Sequence, residues 1–171
     1  FDAYTESQVM QGSGLSSSAA FEVLLGNICN TFYAENQCSA EEIAEIGQFA
    51  ENVYFRKPCG LMDQMASSVG GVVAIDFADA AAPQVEPVSF DFSTSGYALC
   101  IVDTGGNHAD LTAEYAAIPE EMRAVAKYFG AQVLSEVSAN QVMQAIPALR
   151  KACGDRAVLR AIHFYREDRR A

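Results

Sequence analysis

The sequence predicts an α+β protein, since stretches that alternate with the two-residue period of strands are interspersed with stretches whose apolar residues recur at helical spacing. Half of the 171 residues are apolar and 19% are charged, which is typical of a folded globular protein rather than a disordered chain. A chain of this length can bury a sizeable core, in one compact domain or in parts of two. We expect a lobe boundary between about residues 71 and 96, with 1–76 in a first lobe and 77–171 continuing into a second.

The first predicted elements are a strand and a long helix, joined by a turn rich in glycine and serine. Residues 1–9 alternate and include β-favouring side chains, so they predict a strand. From Ser16 to near Asn36, apolar side chains recur every three or four residues. This spacing predicts an amphipathic helix that begins directly after the turn.

A second helix and a loop come next. Ser39 and Glu42 form a capping-box pattern, which predicts that the second helix begins there. Pro58 cannot continue a helix and favours an extended conformation in the residue before it. We therefore expect residues 55–60 to form a loop.

A third, shorter helix and three strands are predicted in the middle of the chain. The helix should begin near residue 61 or 62 and end at the glycine pair 70–71. Residues 72–76 predict a buried strand, since four apolar residues in succession are followed by Asp76. Two further strands are predicted over 85–92 and 97–103, joined through a short connection.

The remainder of the chain is predicted to be helical. Residues 111–129 form one candidate helix, which Pro119 should break or restart. Shorter helices are expected over 139–146 and 147–153. A last helix should run over 155–165, where apolar residues lie on one face.

Composition and charge exclude several classes of protein. A net charge of −11 without a cluster of lysine or arginine disfavours nucleic-acid binding, because the phosphate backbone would be repelled. The five cysteines are scattered without C-x-x-C spacing, which favours reduced thiols over disulfides or a metal site. No apolar run approaches the roughly 20 residues that span a bilayer, and no signal peptide opens the chain, so a cytoplasmic location is expected.

The glycine- and serine-rich turn is the strongest candidate for a binding site. The first amides of a helix lack intrahelical partners and carry partial positive charge, which suits a phosphate group. A single serine N-cap after a flexible turn is the alternative, but it needs fewer glycines and serines. No lysine completes a Walker A loop, and Ser17 occupies the third glycine position of a dinucleotide fingerprint. The candidate phosphate-binding residues are Gly12, Ser13, Gly14, Leu15, Ser16, Ser17 and Ser18.

The string G-S-G-L-S-S-S-A-A over 12–20 resembles the ATP-binding signature of the GHMP small-molecule kinases. The resemblance implies that this turn surrounds the phosphates of ATP and that Ser17 also serves a Mg²⁺ ion. It further implies a two-layer GHMP-kinase-like architecture, with a ribosomal-protein-S5-like N-terminal lobe for nucleotide binding and the start of a C-terminal lobe. The signature identifies the superfamily but not the substrate.

Asp63 lies in an otherwise apolar and amide segment, C-G-L-M-D-Q-M. Taken alone, it is better interpreted as a helix cap or a solvated carboxylate, although phosphoryl transfer does need a group that orients or deprotonates the acceptor hydroxyl. The longer segment K-P-C-G-L-M-D-Q-M-A-S resembles the active-site segment of galactokinases. The resemblance makes Asp63 the catalytic aspartate facing the anomeric hydroxyl of galactose, with Gly60 contacting the sugar.

The same resemblance implies roles for two further residues. Glu51 would complete the Mg²⁺ site with the serine of the turn, although by itself it reads as a solvated helix carboxylate. Tyr115 matches a tyrosine that contacts the sugar in galactokinases. His108 and Asp110 invite interpretation as a metal or catalytic pair, but structural roles are favoured.

The resemblance to galactokinases covers only the central part of that family. It departs from the family at Arg56, where a small residue such as glycine is common; the side chain either points outward or points inward and supplies a cation. We expect the 171-residue chain alone to be weakly active or inactive, and to associate with copies of itself through surfaces exposed by truncation. A sugar and nucleotide sensor without catalysis, or an N-acetylgalactosamine kinase, are the alternatives to a galactose kinase.

Overall fold

Helices make up most of the regular structure in the computed structural model, which describes residues 1–9, 14–79, 81–102 and 111–170. The chain divides into two units, Phe1–Asp110 and Leu111–Ala171, each of which is described by itself. Both helices and strands are present, as the predicted α+β class requires, but the described strands form one small antiparallel sheet. The predicted boundary at 71–96 concerns the lobes of a larger architecture and stays a prediction.

Three packed helices form the body of the first unit. They are α1 (Ser17–Tyr33), α2 (Ala40–Phe49) and α3 (Met62–Val69), and each contacts the other two. All three confirm the sequence prediction, including the capping box, in which the Ser39 hydroxyl accepts a hydrogen bond from the Glu42 amide at 3.2 Å. The buried apolar residues of the three helices are Ala19, Val23, Ile43, Ala44 and Met65.

The end of α2 widens into a π-helical turn, Ala50–Tyr54, which the periodicity did not predict. The loop that follows confirms the prediction for 55–60. Its path is held by Asn52, whose side-chain amide donates to the Cys59 carbonyl at 3.1 Å and accepts from the Cys59 amide at 2.7 Å. This pair of hydrogen bonds brings the loop back over the π-helical turn.

The sheet of the first unit consists of β1 (Val73–Asp76) and β2 (Gln84–Pro87). The strands are antiparallel, with Val73 opposite Pro87 and Asp76 opposite Gln84. β1 confirms the predicted strand, and β2 covers only the first part of the stretch predicted as strand over 85–92. A short helix, α4 (Phe92–Ser95), replaces the end of that stretch because Asp91 caps it, its carboxylate accepting from the Ser93 amide at 2.8 Å.

Two predicted strands are wrong in the described residues. Residues 1–9 and 97–102 have no strand structure, although they alternate or are rich in β-favouring side chains. A strand is defined by its ladder of backbone hydrogen bonds to a neighbour, and alternation in one segment does not supply that neighbour. Residue 103 lies outside the described residues.

The second unit is helical, with α5 (Thr112–Tyr128), a 3₁₀ turn (Leu134–Glu136), α6 (Ala139–Cys153) and α7 (Asp155–Asp168). α7 confirms the predicted last helix. The predicted breaks at Pro119 and Pro147 are wrong, because both prolines lie inside continuous helices. A proline removes one backbone hydrogen bond, and packing of each helix against its neighbours in this unit offsets that loss.

The core of the second unit is apolar. Its buried residues are Val125, Ala126, Leu134, Val137, Val142, Leu149, Ala157, Val158 and Ala161. Tyr165 closes one side by donating its hydroxyl toward the carbonyls of Leu134 at 3.0 Å and Val137 at 2.8 Å. None of the helices in the described ranges is both long and apolar enough to cross a bilayer.

Candidate functional site

The start of α1 has an unusual backbone. Gly14 has a φ of 78° and Ser16, the residue before the helix, lies in the left-handed region at φ 57° and ψ 44°. A non-glycine residue in this region is strained, and such strain tends to occur at functional sites. Gly12 and Ser13, which the sequence also assigns to this turn, lie outside the described residues.

The first turn of α1 suits an anion for a second reason. The Ser16 side chain forms no capping hydrogen bond, and the first turn contains no acidic residue. The helix ladder begins with the Ala20 amide, which donates to the Ser16 carbonyl at 3.0 Å. The earlier amides have no partner within the helix, so they and the neighbouring hydroxyls of Ser17 and Ser18 can serve as donors to phosphate oxygens.

Glu51 is a buried carboxylate in the π-helical turn, with 5% of its side chain exposed. Lys57 forms an ion pair with Oε1, and the Gln64 side-chain amide donates to Oε2 at 3.0 Å. Burial acts to raise the pKa of Glu51, but hydrogen bonds from Lys57, Cys59 and Ser18 and the charge of Lys57 hold it below its usual value. Glu51 is therefore an ionised carboxylate next to a serine of the glycine- and serine-rich turn.

Gln64 links three elements of the first unit. It is 1% exposed, and its Nε2 donates to Glu51 and also to Glu22 Oε2 at 3.1 Å, on α1. Among the described residues its Oε1 has no hydrogen-bond partner. The two carboxylates determine the orientation of the amide, because the opposite orientation would place its oxygen against two anions.

Glu22 and Cys59 complete the polar cluster around Glu51. Burial, and then repulsion from Glu51, raise the pKa of Glu22, although Gln64 and Lys57 partly offset this. Burial and the neighbouring Glu51 raise the pKa of the Cys59 thiol to about 12. Burial is the largest cause of both shifts, and the negative charge of Glu51 adds to each.

Asp63 lies in the first turn of α3, directly before Gln64, and is exposed. Gly60 lies in the loop just before this helix, and a Cβ atom built on it would meet nothing within 4 Å. The carboxylate of Asp63 and the backbone of Gly60 thus border open space beside the buried cluster. Tyr115 is exposed on α5 in the second unit, whereas His108 and Asp110 lie outside the described residues.

The structure brings together Ser18, Glu51 and the helix that carries Asp63, whereas the sequence predicted Ser17 as the serine that partners Glu51. It also adds three residues that the analysis missed: Glu22, Lys57 and Gln64. Glu22 follows Ser18 by four residues and so shares its helix face, a signal that could have been used. The contact of Lys57 with Glu51 depends on the π-helical turn. Helical periodicity did not predict that turn, so the sequence did not indicate the contact.

A Mg²⁺ ion fits this donor set. Mg²⁺ prefers hard oxygen ligands and usually takes only one or two from the protein, the others coming from phosphates and water. Glu51 supplies one ionised oxygen donor, Ser18 supplies a nearby hydroxyl, and the carboxylate already binds a cation in the form of Lys57.

The chain is similar to known proteins both over its first part and along nearly its whole length. Residues 1–71 match the family model described as the GHMP kinases N terminal domain. The chain is 32% identical over 169 residues to proteins named galactokinase from Actinobacillus pleuropneumoniae serotype 3 (strain JL03) and Glaesserella parasuis serovar 5 (strain SH0165). It is 33% identical over 174 residues to the galactokinase of Streptomyces coelicolor. These alignments cover 99% of this chain but 43% of each relative. No solved structure shows a significant match.

Proposed function

Residues 1–71 of this chain belong to the family of GHMP kinase N-terminal domains, and from that premise we propose that the protein takes part in ATP-dependent phosphoryl transfer to a sugar. One observation carries the proposal. The buried, ionised Glu51 lies beside Ser18 at the start of α1 and is joined through Gln64 to the helix that presents Asp63. This arrangement supports a site in which phosphate donors and a cation-binding carboxylate lie together, and the adjoining helix carries a second, exposed carboxylate.

The phosphates of ATP bind at the start of α1 in this proposal. The backbone amides and hydroxyls from Gly12 to Ser18 donate to the phosphate oxygens, and the left-handed Ser16 turns the chain so that its side chain does not cap the helix. Bound Mg²⁺ would neutralise charge on the phosphates. Glu51 would hold the ion with a serine hydroxyl, and Ser18 joins Ser17 as a candidate because hydrogen bonding from Ser18 helps to lower the pKa of Glu51.

Asp63 orients or deprotonates the acceptor hydroxyl. Help of this kind is typically worth about 10² to 10⁴ in rate. Its position in the first turn of α3 aligns the carboxylate with the positive end of that helix. Gln64, one residue on, anchors the turn to the carboxylates of Glu22 and Glu51 and so keeps Asp63 in register with the phosphate site.

The acceptor in this proposal is galactose, phosphorylated on its anomeric hydroxyl. The similarity to galactokinases supports this choice, and Gly60 and Tyr115 are the proposed sugar contacts. The finer architecture, with a ribosomal-protein-S5-like lobe of two layers, belongs to the same proposal. A sugar and nucleotide sensor, or a kinase of N-acetylgalactosamine, remain the alternatives that the test must separate.

The test compares two conservative variants of the full-length protein with wild type, using galactose and N-acetylgalactosamine as acceptors. Asp63→Asn should lower kcat by about 10² or more while MgATP affinity stays unchanged. Glu51→Gln should weaken MgATP binding, measured by calorimetry. Turnover of Asp63→Asn at the wild-type rate would overturn the assignment, and wild-type binding of sugar and nucleotide without turnover would favour the sensor.

A further inference from the structure

The ion pair between Lys57 and Glu51 is asymmetric in its exposure to water. The carboxylate is 5% exposed, whereas the Lys57 side chain is 53% exposed. The anion is thus fixed inside the unit, and the ammonium covers it from the solvent side. Withdrawal of Lys57 would uncover the carboxylate without moving any buried group.

The backbone holds the base of the lysine side chain above Glu51. The Lys57 amide donates to the Glu51 carbonyl at 2.9 Å, and the preceding residue, Arg56, has a φ of 55°. This left-handed residue turns the chain back over the π-helical turn. Only the flexible side chain of Lys57 therefore has to move for the ammonium to reach a new partner.

The charges around this pair do not balance. Glu22 and Glu51 share the Nε2 amide of Gln64, and within the described part of the chain Lys57 is the cation that lowers the pKa of both carboxylates. One lysine thus faces two carboxylates, so the cluster keeps an excess of negative charge. Such a site attracts a divalent cation, and the cation must compete with the ammonium for the oxygens of Glu51.

We propose that Lys57 is the resident counter-ion of Glu51, which Mg²⁺ displaces, and that the released ammonium then binds a phosphate oxygen of the nucleotide. This inference rests on the proposed function. A lysine suits both positions, because its ammonium is a compact charge on a flexible stem and binds carboxylates and phosphates alike. Lys57 would therefore weaken the binding of metal alone and strengthen the binding of metal with nucleotide.

The experiment measures these two affinities separately. Mn²⁺ is titrated without nucleotide and followed by electron paramagnetic resonance, and MgATP is titrated by calorimetry. Lys57→Met should bind Mn²⁺ alone roughly fivefold more tightly, the size expected for removal of one partly exposed ion pair, and should bind MgATP several-fold more weakly.

Two further variants serve as controls. Lys57→Arg keeps the positive charge and should retain the competition with Mn²⁺. Lys151→Met, an exposed lysine of the second unit, makes the same change in net charge and should leave both affinities unchanged.

The opposite signs separate this role from a structural one, since a misfolded site would lose both affinities. Unchanged or weaker Mn²⁺ binding by Lys57→Met, or unchanged MgATP binding, would overturn the inference. The proposed function would survive a negative result with Lys57→Met, provided that wild type binds MgATP and that Glu51→Gln weakens this binding. If wild type binds neither Mn²⁺ nor MgATP, the proposed function fails and the inference fails with it.

Discussion

At the scale of residues, the buried charge of Glu51 affects the pairing and the pKa of its neighbours. The same carboxylate pairs with Lys57, receives a hydrogen bond from Gln64 and raises the pKa of the Cys59 thiol. From sequence alone, a glutamate in a helical stretch is predicted to be solvated, because most such glutamates are. Burial within the packed helices reverses that interpretation.

Cys59 should react slowly with alkylating reagents. Its pKa of about 12, against an ordinary 9.0, leaves little thiolate at pH 8.5, and thiolate is the reactive form. With iodoacetamide and peptide mass spectrometry, the exposed Cys29 and Cys100 should be modified first. Glu51→Gln should accelerate the reaction at Cys59, because a neighbouring anion is removed. Modification of Cys59 at the rate of Cys29 in the folded protein would show that this interpretation is wrong.

The raised pKa of Cys59 also makes the folding stability depend on pH. Because the folded value lies above the unfolded one, the protonated thiol contributes stability that is fully present below about pH 9 and is lost as the pH rises toward 12. Cys59→Ser should therefore show a smaller loss of stability over that interval than wild type, measured by urea unfolding.

Arg56 is exposed and adopts a left-handed backbone, which explains why a glycine suits this position. Arg56→Gly should raise the free energy of unfolding by up to about 1 kcal/mol, because relief of the strain exceeds the entropy cost of glycine. Arg56→Ala keeps the strain and is the matched control, so it should leave stability within about 0.5 kcal/mol of wild type. Equal effects of the two substitutions in urea unfolding would contradict the argument.

At the scale of elements, the site depends on the close approach of α1, α2 and α3. A Cβ atom at Gly26, in α1, would lie 2.8 Å from Cγ2 of Ile43 in α2. Ile43 is buried and β-branched, so it cannot easily move aside. The glycine therefore sets the distance between the two helices.

Gly26→Ala should destabilise the first unit despite the better helix propensity of alanine. We expect a net loss of about 1 to 2 kcal/mol, since overpacking costs more than the roughly 1 kcal/mol that the propensity contributes. In an Ile43→Ala background the same substitution should become neutral or stabilising, because the contacting Cγ2 is removed. A loss that persists in that background, measured by thermal or urea unfolding, would rule out this contact as the cause.

At the scale of the whole molecule, the first unit exposes many large apolar side chains. Phe32, Phe49 and Phe55 are among them, with 73%, 64% and 66% exposed. The chain spans about 43% of the length of the curated relatives that it matches. Exposed apolar surface of this kind favours association between copies of the chain.

Self-association should be visible by light scattering coupled to gel filtration. The mean mass of the 171-residue chain should rise with concentration, and Phe49→Lys or Phe55→Lys should reduce that rise because each removes exposed apolar surface. Gln37→Lys, on an exposed polar residue, makes the same change in charge and should have no effect. A constant monomer mass at high concentration would contradict the prediction.

The sequence by itself determined the local features of this protein. The capping box at Ser39, the loop around Pro58 and the helix that carries Asp63 follow from hydrogen bonding and backbone geometry within a few residues. The glycine- and serine-rich turn and the D-Q segment likewise sufficed for the expected family, which the comparisons support.

The tertiary structure alone decided which side chains meet. The absence of strands over 1–9 and 97–102 and the continuity of α5 and α6 through their prolines depend on partners distant in sequence. The cluster of Glu22, Glu51, Lys57 and Gln64 arises because three packed helices exclude water around two carboxylates. Burial and long-range pairing are properties of the packed chain, so no local pattern of residues encodes them.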